Sequence, residues 1–96
     1  AAAYLEEPLQ VAPDEIEILD GYVGRGYALS RKEELDFIRD FARMEGLVLD
    51  PVYTGKCMYG FACEVDKGSF QKSGNVLFLH TGGLFGLFPV KEQFEL

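Results

Sequence analysis

Tryptophan is absent from this chain of 96 residues, histidine occurs once, and cysteine and methionine occur twice each. Two cysteines are too few for the disulfide framework of a small secreted protein. On a single helix, Cys57 and Cys63 would point about 240° apart and could not bridge, so both are expected to be reduced thiols. One histidine and two cysteines show no zinc-ligand spacing, and no metal is expected. Basic residues are also scarce: nine Lys and Arg stand against sixteen Asp and Glu, a formal charge of −7. Phosphate backbones and anionic membrane surfaces attract positive charge, so neither nucleic acid nor membrane is an expected partner. No apolar run approaches the ~20 residues that cross a bilayer, and no basic segment followed by an apolar core opens the chain. A cytoplasmic location is the expectation.

What is present is ordinary for a soluble globular protein, with 48% hydrophobic and 26% charged residues. That is too apolar for disorder, and the length allows at most one domain. Residues 1–7 are strong helix formers with no preceding cap, and read as the last turns of a helix that Pro8 ends. Residues 16–19 alternate briefly and suggest a short strand. Residues 21–27 form a glycine-rich loop whose backbone can reach positive φ. Ser30 and Glu33 form a capping box for a helix over residues 30–45, with Leu35, Ile38 and Ala42 on one face and Gly46 as its stop. Asp50-Pro51 breaks the apolar run 47–49. A second helix is predicted from about Thr54 to Lys67, with Cys57, Met58, Phe61, Ala62 and Val65 at helical spacing and Gly68 at its end. Val76, Leu77, Phe78 and Leu79 suit a strand over residues 75–80 that is buried on both faces of a sheet. Thr81-Gly82-Gly83 follows, then a candidate short helix over residues 84–88. Phe37, Phe41, Phe61 and Phe78 are expected in the core. One clear strand and one doubtful strand cannot make a stable sheet, so the chain is expected to be the C-terminal portion of a larger α/β protein.

Several residues carry chemistry. A strand followed by Thr81-Gly82-Gly83 and a helix can bind an anion through backbone N–H groups and the Thr81 hydroxyl; the same residues also suit a plain tight turn. Tyr53-Thr54-Gly55-Lys56 opens the second helix. It is not a phosphate-binding P-loop, because that pattern needs two spaced glycines and a Ser or Thr where Cys57 stands. Thr54 as a cap with a solvated Lys56 is the simpler reading. His80, at a strand end with no nucleophile nearby in sequence, reads as a hydrogen-bonded structural residue. Tyr22 and Tyr27 either face a ligand or anchor the glycine loop.

These residues also carry a resemblance. Leu49-Asp50-Pro51-Val52-Tyr53-Thr54-Gly55-Lys56 before an apolar helix resembles a C-terminal signature of the D-cysteine desulfhydrase and 1-aminocyclopropane-1-carboxylate (ACC) deaminase family. Val76-Leu77-Phe78-Leu79-His80-Thr81-Gly82-Gly83 is similar to that family's last core strand and turn. Gly24-Arg25-Gly26-Tyr27 and the helix ending in Met44-Glu45-Gly46 precede them in the matching order. The resemblance covers about residues 22–88. It implies a pyridoxal-phosphate (PLP) enzyme of the tryptophan-synthase β-subunit fold (fold type II), with the cofactor between two α/β domains and a homodimer as the assembly. Residues 1–96 would be the C-terminal part of the larger domain. The upstream domain and the lysine that carries PLP would lie outside the chain, which alone would be inactive; Lys56 is not that lysine.

By the resemblance, Tyr53 and Tyr27 are catalytic and face the substrate, while Thr81, Tyr53 and Thr54 lie on the cofactor side, with Thr81 by the ring nitrogen. A neutral hydroxyl there favours an unprotonated ring, a weaker electron sink that suffices for β-elimination. Thr54 stands where ACC deaminases place a glutamate. Both threonines therefore favour a D-cysteine desulfhydrase, releasing pyruvate, ammonia and sulfide from a small amino acid, over ACC ring opening. A self-contained anion-binding α/β module is the non-enzymatic alternative. The chain departs from the family at Arg25-Gly26 and Ala28 around Tyr27, and at the residues after Gly83.

Overall fold

The computed structural model describes residues 10–94. Their regular elements are a 3-10 turn at Pro13–Glu15, helix α1 at Lys32–Glu45, helix α2 at Thr54–Asp66 and a 3-10 segment at Leu84–Gln93. The helix end expected over residues 1–7 lies outside the described residues.

Both predicted helices form, with small shifts at their starts. α1 begins at Lys32 rather than Ser30, and the Glu34 carboxylate, not Glu33, accepts the N–H of the N-cap residue, Arg31, at 2.7 Å. Its far end is the expected one: Gly46 adopts φ 69° and donates its N–H to the Ala42 carbonyl at 2.9 Å. α2 stops at Asp66, with Lys67 as C-cap and Gly68 at φ 83° just beyond. The segment after Gly83 winds as 3-10 rather than α and extends to Gln93; Pro89 inside it lacks an N–H to donate.

The strands expected over residues 16–19 and 75–80 do not form, and among the described residues there is no strand. A strand exists only through its ladder partner, and the described part of the chain offers none. The doubly buried run over residues 76–79 is instead open: Leu77 is 90% exposed and Leu79 75%. The described residues thus carry α2 and α1 without the sheet expected of an α/β domain.

The core is small and unusually polar. Leu35, Ile38 and Leu49 are its buried apolar members, beside buried Glu34, Asp50, Thr54 and Lys56. Phe37, Phe41, Phe61 and Phe78 are half-buried rather than core residues. Phe37 stacks on Phe41 at 5.7 Å and meets Tyr59 edge-on at 5.5 Å, forming a rim where the two helices meet. The helices approach closely because residue 55 is glycine: a Cβ there would lie 2.5 Å from the Asp50 carbonyl oxygen and 2.7 Å from Ile38 Cδ1. The Cα radius of gyration is 16.0 Å, against about 12 Å for a compact domain of this size.

Gly55→Ala is therefore expected to destabilise the protein by about 3 kcal/mol through forced separation of α1 and the α2 start. Gly74→Ala, where nothing lies within 4 Å of the new Cβ, is expected to stay within about 0.5 kcal/mol. Thermal unfolding of the two variants checks the contrast.

Candidate active site

The site begins with Asp50. Pro51 keeps Asp50 out of helical geometry, and the aspartate side chain turns over the start of α2. Its Oδ2 accepts the N–H groups of Val52 at 2.8 Å and Tyr53 at 2.7 Å; its Oδ1 accepts the Thr54 N–H at 2.9 Å and the Thr54 hydroxyl at 2.6 Å. The Thr54 hydroxyl in turn accepts the Asp50 N–H at 2.8 Å, and the Asp50 carbonyl takes the Gly55 N–H at 2.7 Å. One buried carboxylate thus satisfies the free donors of a helix N-terminus, where negative charge is favoured. Burial pushes its pKa up, but the Thr54 hydroxyl and the N–H groups of Tyr53, Thr54 and Val52 outweigh burial and hold it below the usual carboxylate value.

Within the first turn of α2, Lys56 is only 9% exposed. Its ammonium donates to the carbonyls of Val23 at 2.7 Å, Gly26 at 2.8 Å and Leu29 at 2.8 Å. The lysine is neither solvated nor available to an anion, which corrects the reading from sequence. It gathers the glycine loop onto α2. The same loop rests against α1 at Gly24, where φ is 71° and a Cβ would come 2.9 Å from the Glu34 carboxylate, and against α2 at Gly60, where a Cβ would meet the Tyr22 ring at 2.9 Å.

This brings Tyr27 to Tyr53. Their hydroxyls lie 2.9 Å apart and their rings meet edge-on at 6.2 Å. Both rings are exposed and line a cleft of about 440 Å³ with Leu19, Val23, Val52 and Cys57. Donation from the Tyr53 hydroxyl to Tyr27, reinforced by the Tyr27 charge when ionised, raises the Tyr53 pKa above the ordinary tyrosine value. Tyr22 also lines the cleft and donates to Glu64, which accepts in addition from Ser69 at 2.8 Å and Lys67 at 3.3 Å. The hydrogen bond to Glu64 raises the Tyr22 pKa and lowers that of Glu64.

The second motif joins the first through His80 and Gly83. His80 Nε2 lies 2.8 Å from the Val48 carbonyl, and its Nδ1 accepts the Gly82 N–H at 3.0 Å, which fixes the proton on Nε2. Gly83 adopts φ 86°, and a Cβ there would come 2.8 Å from Asp50 Cγ. The turn 81–83 therefore seats on the aspartate that caps α2. Of the residues singled out from sequence, Tyr27 and Tyr53 are together. Thr81 is exposed at the head of the turn and does not line their cleft. Thr54 is 2% exposed with its hydroxyl turned into Asp50. Among the described residues no three His, Cys, Asp or Glu side chains converge as a metal site. The sequence reading took Asp50 as part of the Asp50-Pro51 break after the apolar run 47–49 and as a member of the Leu49–Lys56 motif, and missed its capping role. The signal was an aspartate two, three and four residues before Val52, Tyr53 and Thr54, the spacing of a side-chain-capped turn. The convergence on Lys56 has no local sequence signal.

The cleft can hold a planar, largely apolar group against the rings of Tyr22, Tyr27 and Tyr53. Its walls fit one side of an aromatic cofactor such as PLP. Lys56, the one lysine lining it, has all its protons committed.

No protein-family model matches the chain. It is 43% identical over 83 residues, 86% of its length, to a Thermotoga maritima protein provisionally named 1-aminocyclopropane-1-carboxylate deaminase. It is 45% identical over 71 residues, 73% of its length, to the Arabidopsis thaliana bifunctional D-cysteine desulfhydrase/1-aminocyclopropane-1-carboxylate deaminase, mitochondrial. The chain spans 25% of the first relative and 18% of the second. The resemblance carried by the two motifs is thus matched by similarity along most of the chain.

Because the folded Asp50 pKa lies below the unfolded one, its stabilising contribution is complete above about pH 4 and is lost as pH falls through the lowered value. Asp50→Asn is expected to cost about 2–3 kcal/mol at neutral pH. The gap between variant and wild type should close in acid. Urea unfolding near pH 7 and near pH 2.5 reads it; a gap that stays constant would contradict the role.

Proposed function

We propose that this chain, similar over most of its length to proteins named for ACC deaminase and D-cysteine desulfhydrase, is the C-terminal part of the larger α/β domain of a fold type II PLP enzyme. The observation that carries the reading is the Tyr27–Tyr53 pair: two phenols from separate motifs, hydrogen bonded at 2.9 Å and open to one cleft. The exposed run at Leu77 and Leu79 supports a place for these residues beside upstream strands rather than in a self-contained anion-binding module. The expanded radius of gyration supports the same choice. The commitment of Lys56 to three carbonyls supports a PLP lysine elsewhere.

The reaction proposed is β-elimination from D-cysteine, which with one water gives pyruvate, ammonia and hydrogen sulfide. Bound PLP would supply the electron sink that acidifies the α-carbon proton. Tyr53 offers a hydrogen bond to the substrate carboxylate or a proton to the departing sulfur once substrate replaces Tyr27 as the acceptor of its hydroxyl. Tyr27 orients that phenol and shares the substrate side. Thr81 offers a neutral hydroxyl to the ring nitrogen, and Thr54 supports the cofactor side from behind, through Asp50 and the backbone at Tyr53. ACC deamination is the second reading, favoured by the names of both relatives. The partner proposed is a second copy of the protein. The two free thiols, Cys57 and Cys63, support a reducing compartment, for which we propose the cytoplasm.

The test is the full-length protein loaded with PLP, assayed for sulfide release from D-cysteine and ammonia release from ACC. Sulfide release is expected to dominate. Tyr53→Phe is expected to lower kcat about 100-fold with little change in melting temperature. Near-normal turnover in that variant, or no sulfide from the wild type, would contradict the reading.

A further inference from the structure

We infer that Lys56 is a positioning residue: its buried ammonium, bound by the carbonyls of Val23, Gly26 and Leu29, sets the Tyr27 phenol against Tyr53. The inference rests on the proposed role of the tyrosine pair. Three carbonyl oxygens converge within 2.8 Å of one nitrogen. Their dipoles repel one another, and taking them from water is costly unless a cation meets them. An ammonium has three N–H groups, and here each has a carbonyl.

The convergence needs an unusual backbone. Gly24 and Gly26 adopt φ 71° and 127°, and Ala28, the positive-φ non-glycine among the described residues, adopts 59°. The left-handed conformation at Ala28 costs about 1 kcal/mol or more. Tyr27 sits between the two last positions, so its direction follows from the path that the ammonium stabilises. Tyr53 is the N-cap of α2 and Lys56 follows three residues later, so one helix start holds one tyrosine directly and the other through its lysine. The lysine touches neither phenolic oxygen by any hydrogen bond in the structure and acts through the loop backbone.

The test uses the full-length protein labelled with 13C at the tyrosine ζ carbon. Tyr53 is expected to titrate above the ordinary tyrosine range in wild type and to return toward it in Tyr27→Phe, which removes the hydroxyl that raises it. Lys56→Met, which keeps the length and removes the charge, is expected to return it likewise. Lys56→Met should also lower kcat/KM on D-cysteine about 100-fold, the scale of a misplaced catalytic group, and should lower it far less in a Tyr27→Phe background. If Lys56→Met does not fold, Lys56→Arg keeps the cation, but its planar fork cannot match three carbonyls around one nitrogen, and it should show the same direction in both readouts. A Tyr53 titration that stays at its wild-type position in a folded Lys56 variant overturns the inference. A Tyr27→Phe enzyme with wild-type kcat/KM overturns the proposed function instead, because the titration reads the positioning independently of turnover.

Discussion

A helix start presents N–H groups with no partner in the helix, and in this chain the Asp50 carboxylate answers them. Three N–H groups and the Thr54 hydroxyl converge on its two oxygens. With that contact in place, Tyr53 is held at the head of α2, and Gly83 of the second motif finds a surface to pack on. Lys56 mirrors the arrangement with the opposite charge, collecting carbonyls from the glycine loop instead of N–H groups. The two charges are six positions apart and both are buried. Neither needs the other as counter-ion, because each is saturated by backbone dipoles. This is how a buried charge is tolerated without an ion pair.

That polar frame stands in for an apolar core. Leu35, Ile38 and Leu49 are too few to define the relation of α1 to α2 by themselves. The glycines at 55 and 60 let backbone and the Tyr22 ring come close enough for directional bonds to do so. The cleft of Tyr27 and Tyr53 is consequently built by hydrogen bonds of fixed geometry, which suits a site that must hold two phenols at a set distance.

The helices were legible in the sequence because their signals are local. Apolar spacing placed α1 and α2, and Gly46 and Gly68 marked their ends. The cap of α1 was misread by one position, since Ser30 and Glu33 have the same spacing as Arg31 and Glu34. The strands failed for a different reason. Hydrophobicity over residues 76–79 specifies burial, but burial needs a partner surface, and the described residues provide none. At the site, the resemblance named Tyr27 and Tyr53 separately, and only the structure brings their hydroxyls together. The roles of Asp50 and Lys56 depend on long-range or side-chain-to-backbone geometry, which spacing alone does not encode: Lys56 reaches back across 27 to 33 residues.

The most direct measurement is amide hydrogen exchange at Val52, Tyr53, Thr54 and Gly55 in the full-length protein. These four N–H groups donate to Asp50 rather than to a preceding helical turn. They should be protected as strongly as the amides inside α2, where an ordinary helix start would exchange freely. Fast exchange at these four positions beside a protected α2 interior would contradict the account that Asp50 holds the site together.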